Sequence, residues 1–211
     1  MGKEVVEGPT AVIEFDAARC IHSRNCVLDR PDVFVPNVEG AWIHPEAATA
    51  DEVVAIARNC PSGAIVARRL DGGAPERAPL VNTVRIRENG PLAFHATLSI
   101  GGQPDGFRAT LCRCGQSKRK PYCDGSHAAA GFTASGEAPM KESTPLAERG
   151  GPLEVTPTVN GPLKVKGPVE VVTGTGHTIN RATELYFCRC GQSQTKPYCD
   201  GTHKKVGFVA P

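Results

Sequence analysis

Large aromatic side chains are scarce in this chain. Phe, Tyr and Trp make up 5% of its 211 residues, and Trp42 is the one tryptophan. Cores built from so few rings are thin, and small modules with thin cores commonly need staples, metal among them. Long apolar runs are missing too: none reaches the roughly 18 residues of a membrane-spanning helix. Met1–Thr10 contains no secretory apolar stretch. The expectation is a soluble, cytoplasmic protein with no membrane attachment. A dominant charge sign is also absent, since 24 Lys+Arg stand against 22 Asp+Glu. Few aromatics lie near the basic residues, which argues against nucleic acid as a partner. No activated serine, cysteine or carboxylate pair suggests substrate turnover, so an enzyme is not expected.

Cysteine, in contrast, is plentiful. Nine are present, and in a reducing compartment they read as metal ligands rather than disulfides. Six belong to a sixteen-residue segment that occurs twice. Cys112, Cys114, Cys123 and His127 recur at identical spacing as Cys188, Cys190, Cys199 and His203. The likeness extends outward: Asn89-Gly-Pro-Leu92 matches Asn160-Gly-Pro-Leu163, and Gly131-Phe132 matches Gly207-Phe208. The second copy is longer by about five residues, a difference expected in the loop Thr173–His177. Two copies suit a pseudo-two-fold module, the covalent counterpart of a symmetric homodimer, and predict a monomer.

Periodicity places the ligands. Phe94, Ala96, Leu98 and Ile100 alternate with polar residues, as do Phe107, Ala109 and Leu111, which lead into Cys112. Leu163 and Val165, then Leu185 and Phe187, do the same before Cys188. These patterns predict half-buried strands with a ligand cassette at each strand end. Asp124 and Asp200 are candidate caps for a short helix that puts Cys and His, at i and i+4, on one face. In the N-terminal part, Thr49-Ala-Asp-Glu52 forms a capping box before an apolar stripe that ends ahead of Pro61. Val12–Phe15 and Ala64–Ala67 look like short strands. The organisation expected is 1–75, then 76–135 and 136–211, in an α+β, mainly β protein. The first 75 residues carry a net charge of −4 and the remainder +6.

The donor set allows two chemistries. A [2Fe–2S] rhomb needs two ligands per iron, which Cys-x-Cys and Cys-x₃-His can supply separately. Structural zinc also accepts three Cys and one His, although its knuckles usually space the cysteines by two to four residues. Cys20, Cys26 and Cys60 form a second pattern, Cys-x₂-Ser-x₂-Cys with a distant Cys-Pro. Three thiolates suit a [3Fe–4S] cluster. A [4Fe–4S] cluster needs a fourth ligand from Ser23, His22, water or a small molecule. Basic residues around the cassettes, Arg113, Lys118, Lys120, Arg189 and Lys196, are either solvated charges or a docking face for an acidic redox partner.

Both cassettes resemble the CDGSH iron–sulfur domain, the mitoNEET-like family, whose pattern C-x-C-x₂-[ST]-x₃-P-x-C-D-G-[STA]-H they match throughout. The resemblance covers residues 80–211. It implies a [2Fe–2S] cluster on Cys112, Cys114, Cys123 and His127, another on Cys188, Cys190, Cys199 and His203, and a β-sandwich uniting the two modules. Residues 11–70 resemble a single-cluster bacterial ferredoxin in which Ser23 stands where the second cysteine is usual. Together the resemblances imply an electron-transfer protein, or alternatively a cluster carrier or a redox or pH sensor.

Overall fold

The structure is a computed structural model that describes residues 2–211. It divides into two compact units, one ending at Arg77 and one spanning Ala78–Pro211. Among the described residues the architecture is mainly β, with four α-helices and one short 3-10 helix.

The first unit is a three-stranded antiparallel sheet in the order β1 (Lys3–Glu7), β2 (Ala11–Asp16), β3 (Ile65–Arg69). Its principal helix, α2 (Ala50–Asn59), starts where the capping box predicts: Thr49 Oγ1 accepts from Glu52 N, and Glu52 Oε2 accepts from Thr49 N at 2.8 Å. Val53, Ile56 and Ala57 turn inward and join Ile13, Phe34 and Ile65 in the core. Trp42 lies edge-on to Phe15, with ring centres 4.9 Å apart, and donates through Nε1 to Glu4 at 3.1 Å. A shorter helix, α1 (Asn25–Asp29), carries Cys26. Strand β1 has no counterpart in the sequence patterns, because its KEVVE stretch is almost wholly exposed and shows no alternation.

The second unit holds β4 (Thr83–Ile86), β5 (Leu92–Ile100), β6 (Gln103–Leu111), β7 (Pro152–Pro157), β8 (Leu163–Val172) and β9 (Thr178–Phe187). The pairings obey a pseudo-two-fold. Strands β5 and β6 form an antiparallel hairpin, as do β8 and β9. Strand β4 runs antiparallel to β5 of its own repeat and parallel to β8 of the other. Strand β7 reciprocates, antiparallel to β8 and parallel to β5. All six strands therefore belong to one hydrogen-bonded network, and a single core draws on both repeats, from Phe94 and Leu111 to Leu163 and Phe187. The five extra residues of copy two do not all fall in the loop. Strands β8 and β9 have ten residues against nine in β5 and β6, and only the remainder lengthens the turn at Thr173–His177.

The repeated Asn-Gly-Pro-Leu also finds its reason here. Asn89 and Asn160 adopt positive φ, 47° and 52°. Each then exchanges two hydrogen bonds with the tail of its own repeat. Asn89 bonds Ala134 and Asn160 bonds Ala210, through Oδ1 and through backbone N–H, at 2.8–2.9 Å. The segment between the repeats is stitched down rather than loose: Lys141 N donates to Ile179 O at 2.8 Å, and Arg149 Nε to Glu170 Oε1 at 2.7 Å.

Candidate metal centres

Each cassette begins where a strand stops. In repeat one, Cys112 follows Leu111 at the end of β6, and its N–H donates to Pro121 O at 2.8 Å; Cys123 N donates to Thr110 O at 2.9 Å. The loop between them is thus folded back on the strand that launches it. Ser117 fastens it, donating to Tyr122 O at 2.6 Å and accepting from Arg119 N at 3.0 Å. Asp124 adds a second clasp, accepting from Ser126 N at 3.0 Å and Lys118 N at 2.8 Å. Burial works against its ionisation, yet the Ser126 and Lys118 bonds hold its carboxyl at about 2. Asp124 therefore stands one residue ahead of the helix cap itself, which is Gly125 in the left-handed region at φ 84°. Helix α3 (Ser126–Ala129) and, in repeat two, α4 (Thr202–Lys205) carry the histidines. Repeat two reproduces the arrangement with Ser193, Tyr198 and Asp200.

The donors come in pairs. Cys112 Sγ and Cys114 Sγ are 3.6 Å apart, and Cys123 Sγ and His127 Nδ1 3.4 Å. In repeat two the separations are 3.8 Å for Cys188 and Cys190 and 3.3 Å for Cys199 and His203. Two ligands on one tetrahedral metal, with bonds of about 2.3 Å to sulfur and 2.0–2.1 Å to nitrogen, lie roughly 3.5–3.8 Å apart. Each pair therefore has the span of two ligands on a single metal ion. Two such pairs per repeat are a donor set that fits a binuclear group held at two ends. Backbone N–H groups already point at sulfur: Gln116 toward Cys114 and Gly125 toward Cys123, at 3.4 and 3.5 Å, with Gln192 and Gly201 as their counterparts. Burial pushes the Cys123 thiol up to about 11 and raises Cys188 and Cys199 as well. A metal must therefore displace protons to bind these residues.

The first unit gathers its three cysteines from separate elements. Cys20 follows β2, Cys26 lies in α1 and Cys60 directly follows α2. Asn25 Nδ2 donates to Asn59 O at 3.0 Å, tying α1 to the end of α2, and Arg19 Nε donates to Ser62 O at 3.2 Å. All three thiols line one cavity of about 400 Å³, together with Ser23, His22 and Trp42. Burial raises the Cys20 and Cys26 thiols, and mutual repulsion with Cys60 adds to it. His22 and Arg24 flank Ser23 with positive φ, 53° and 63°, a conformation that costs side-chain-bearing residues energy and tends to cluster at functional sites.

Arg113 and Arg189 depart from expectation. Neither is a solvated charge nor part of a docking face, because each is 1% exposed. Arg113 donates to the carbonyl oxygens of Gly90, Arg87, Ala134 and Ser135, and lies 5.6 Å from the Phe132 ring centre. Arg189 donates to Gly161, Thr158, Ala210 and Pro211 and lies 5.5 Å from the Phe208 ring centre. The repeated Asn-Gly-Pro-Leu and Gly-Phe motifs are thus the walls of an arginine cage. Their joint recurrence with the arginine was the signal available in the sequence. Lys120 and Lys196 also fold inward, each donating to the carbonyl of the motif serine at 2.6 Å. Lys118 remains exposed. His44 pairs with Glu46 at 3.0 Å, away from the clustered cysteines.

The comparisons agree with this division. Residues 80–128 and 160–204 match the family described as iron-binding zinc finger, CDGSH type. Residues 6–69 match the family described as divergent 4Fe-4S mono-cluster. The search of curated proteins returned no match. The chain therefore joins a divergent mono-cluster domain of the 4Fe-4S class to two CDGSH-type iron-binding repeats.

Proposed function

We propose that the protein is an electron carrier, not an enzyme, with a [2Fe–2S] cluster in each CDGSH repeat and a third cluster in the first unit. The observation that carries this reading is the pairing of donors at 3.3–3.8 Å, two pairs per repeat. Each cluster, when bound, supplies a one-electron ferric/ferrous couple. Cys112 with Cys114 would hold one iron and Cys123 with His127 the other; Cys188, Cys190, Cys199 and His203 would do the same. A neutral imidazole in place of a thiolate removes negative charge, so His127 and His203 raise the potential. In the first unit Cys20, Cys26 and Cys60 offer three thiolate corners around one cavity, which suits [3Fe–4S]. The family description favours [4Fe–4S], whose fourth ligand would be Ser23, His22, water or a small molecule. Exposed Lys118, Arg119, Lys204 and Lys205 would receive an acidic redox partner. Among the described residues no helix is long and apolar enough to cross a membrane. The pairing of the repeats within one chain supports a monomer.

The half-buried His127 and His203 favour a second reading, in which clusters are donated or lost in acid. The test of the first reading is metal analysis with EPR on freshly purified protein. Two rhombs and a three-iron cluster require about seven irons and eight sulfides per chain. The oxidised three-iron cluster is paramagnetic and the oxidised rhombs are silent. Zinc without visible absorption refutes the assignment. Rapid reversible reduction supports the carrier of electrons; transfer of iron and sulfide to an apo-ferredoxin supports the carrier of clusters.

A further inference from the structure

The first unit holds a buried hydroxyl that the ligand assignment does not use. Ser62 stands two residues beyond Cys60, in the stretch Cys60-Pro-Ser-Gly-Ala64, and is 3% exposed. Its Oγ lies 3.6 Å from Cys60 Sγ and accepts a hydrogen bond from Ala64 N at 3.3 Å. The turn that carries it is held at three points. Gly63 N donates to Cys60 O at 3.3 Å, Asp16 N to Ala64 O at 2.8 Å, and Arg19 Nε to Ser62 O at 3.2 Å. Ser62 is thus fixed in the wall of the cavity that Cys20, Cys26 and Cys60 line.

A hydroxyl has one proton to give and two lone pairs that accept. The bond from Ala64 N takes a lone pair, as in an ordinary serine turn, and leaves the proton unused. Burial keeps bulk water from that proton, and Cys60 Sγ is the acceptor within reach. Between a hydroxyl and a free thiol either group could donate. A thiolate bound to metal has lost its proton, so it can only accept, and the direction is fixed. The same distance argues against Ser62 as the fourth ligand. Donors 3.6 Å apart have the span of two ligands on one metal ion, whereas each iron of a cubane takes one ligand from outside the cluster. Cys20 offers a comparison: its sulfur accepts from His22 N at 3.4 Å, a backbone donor that no side-chain substitution removes.

We propose that Ser62 is a positioning residue for the first-unit cluster: its hydroxyl donates to the Cys60 sulfur, draws charge from that corner and raises the electron affinity of the cluster. This rests on the reading of a cluster in the first unit given above. Hydrogen bonds to ligand sulfur are among the factors that set iron–sulfur potentials, because a donor stabilises the more negative, reduced state more than the oxidised one. Ser62 neither ligates iron nor gives up its proton. The electron comes from an external one-electron reductant, one ferric site becomes ferrous, and no bond breaks.

The test is a mediated redox titration of the full chain, followed by EPR of the first-unit cluster. A three-iron cluster is read in oxidised protein, where the rhombs are silent; a four-iron cluster is read in reduced protein near liquid-helium temperature, by its faster relaxation. Ser62→Ala should lower the electron affinity of that cluster about tenfold, a shift of about 59 mV for a one-electron couple, and leave both CDGSH waves in place. Ser62→Thr, which keeps the hydroxyl, should recover most of the loss. An alanine variant at the wild-type potential overturns the proposal, and so does a threonine variant no better than alanine. Pulsed EPR in heavy water adds a readout that a merely structural serine would not move: the deuteron coupling of the wild-type cluster should weaken in Ser62→Ala. Should the alanine variant fail to fold, Ser62→Gly takes its place, and a wild-type cluster with no exchangeable deuteron coupled to it overturns the proposal by itself. Iron and sulfide are counted on every sample. A wild type without a first-unit cluster condemns the cluster reading; full iron with an unmoved first-unit wave condemns the role of Ser62 alone.

Discussion

Replacing Gly115 by Ala isolates the contact that joins the Cys-Arg-Cys-Gly turns of the two repeats. Gly115 has φ +80°, and its added Cβ would press on the Cys190 carbonyl, a backbone atom with no rotamer to yield. Two costs combine. Left-handed backbone costs an alanine roughly 1–2 kcal/mol, and overpacking about 1–3 kcal/mol more. The sum, about 2–5 kcal/mol, is a large part of a domain's usual 5–15 kcal/mol. Gly102 separates the two costs. Its φ is +79°, but a Cβ there meets nothing within 4 Å, so Gly102→Ala should lose only the first. Urea unfolding of both variants, followed by far-UV circular dichroism, should place the Gly115→Ala midpoint below the Gly102→Ala midpoint. With a slope of about 2 kcal/mol per molar urea, the gap is about 0.5–1.5 M. Adding Gly191→Ala to Gly115→Ala should cost less than Gly191→Ala alone, because the two turns share one contact region. Coincident midpoints for Gly115→Ala and Gly102→Ala would mean that the turns do not abut.

Acid sensitivity should trace to histidine. Burial holds the His127 imidazole below its ordinary value, with Arg113 assisting and Asp124 opposing. The stabilisation from unprotonated His127 is whole above the unfolded value of about 6.5 and is lost as pH falls toward the depressed folded one. His127→Cys should therefore slow the decay of visible absorbance at about pH 6, just below the free imidazole value, and identical decay would clear histidine of the role. In the first unit, Thr49→Ala removes the Oγ1 acceptor of the capping box and should destabilise that unit by about 1 kcal/mol; a melt followed by Trp42 emission that does not move argues that the cap is idle. Trp42 lines the same cavity as Cys20, Cys26 and Cys60, so a cluster there should quench its emission. Cys60→Ser should restore the emission, whereas Cys188→Ser should leave it unchanged; equal emission in wild type and Cys60→Ser counts against a cluster in that cavity.

Much of this protein was legible in the sequence, where the signal is local. Cys123 and His127, four residues apart, come within 3.4 Å, although Cys123 lies ahead of the left-handed Gly125 cap and outside the helix that carries His127, so the spacing was legible and the helical face expected for it was not what joins them. Alternation along residues 92–100 and 103–111 marks strands because pleated backbone sends successive side chains to opposite faces. Thr49 and Glu52 mark a helix start by chemistry confined to four residues. What the sequence alone left undecided depends on distant chain. Strands β4 and β7 are four and six residues long, and besides the neighbour in its own repeat each pairs across repeats, β4 with β8 and β7 with β5. Val84 and Ile86, like Leu153 and Val155, do alternate with more exposed residues, but runs this short do not name their partners. The arginines are the sharpest case. An arginine flanked by cysteines in a charged loop reads as surface, and nothing local says otherwise. Only when Asn89 and Asn160 pin each repeat's tail, and the opposing turn closes to glycine distance, do Arg113 and Arg189 lose their solvent. The ligands were fixed by spacing along the chain, but the charge placed beside them was decided by tertiary closure, because burial belongs to whatever packs against a residue and not to the residue itself.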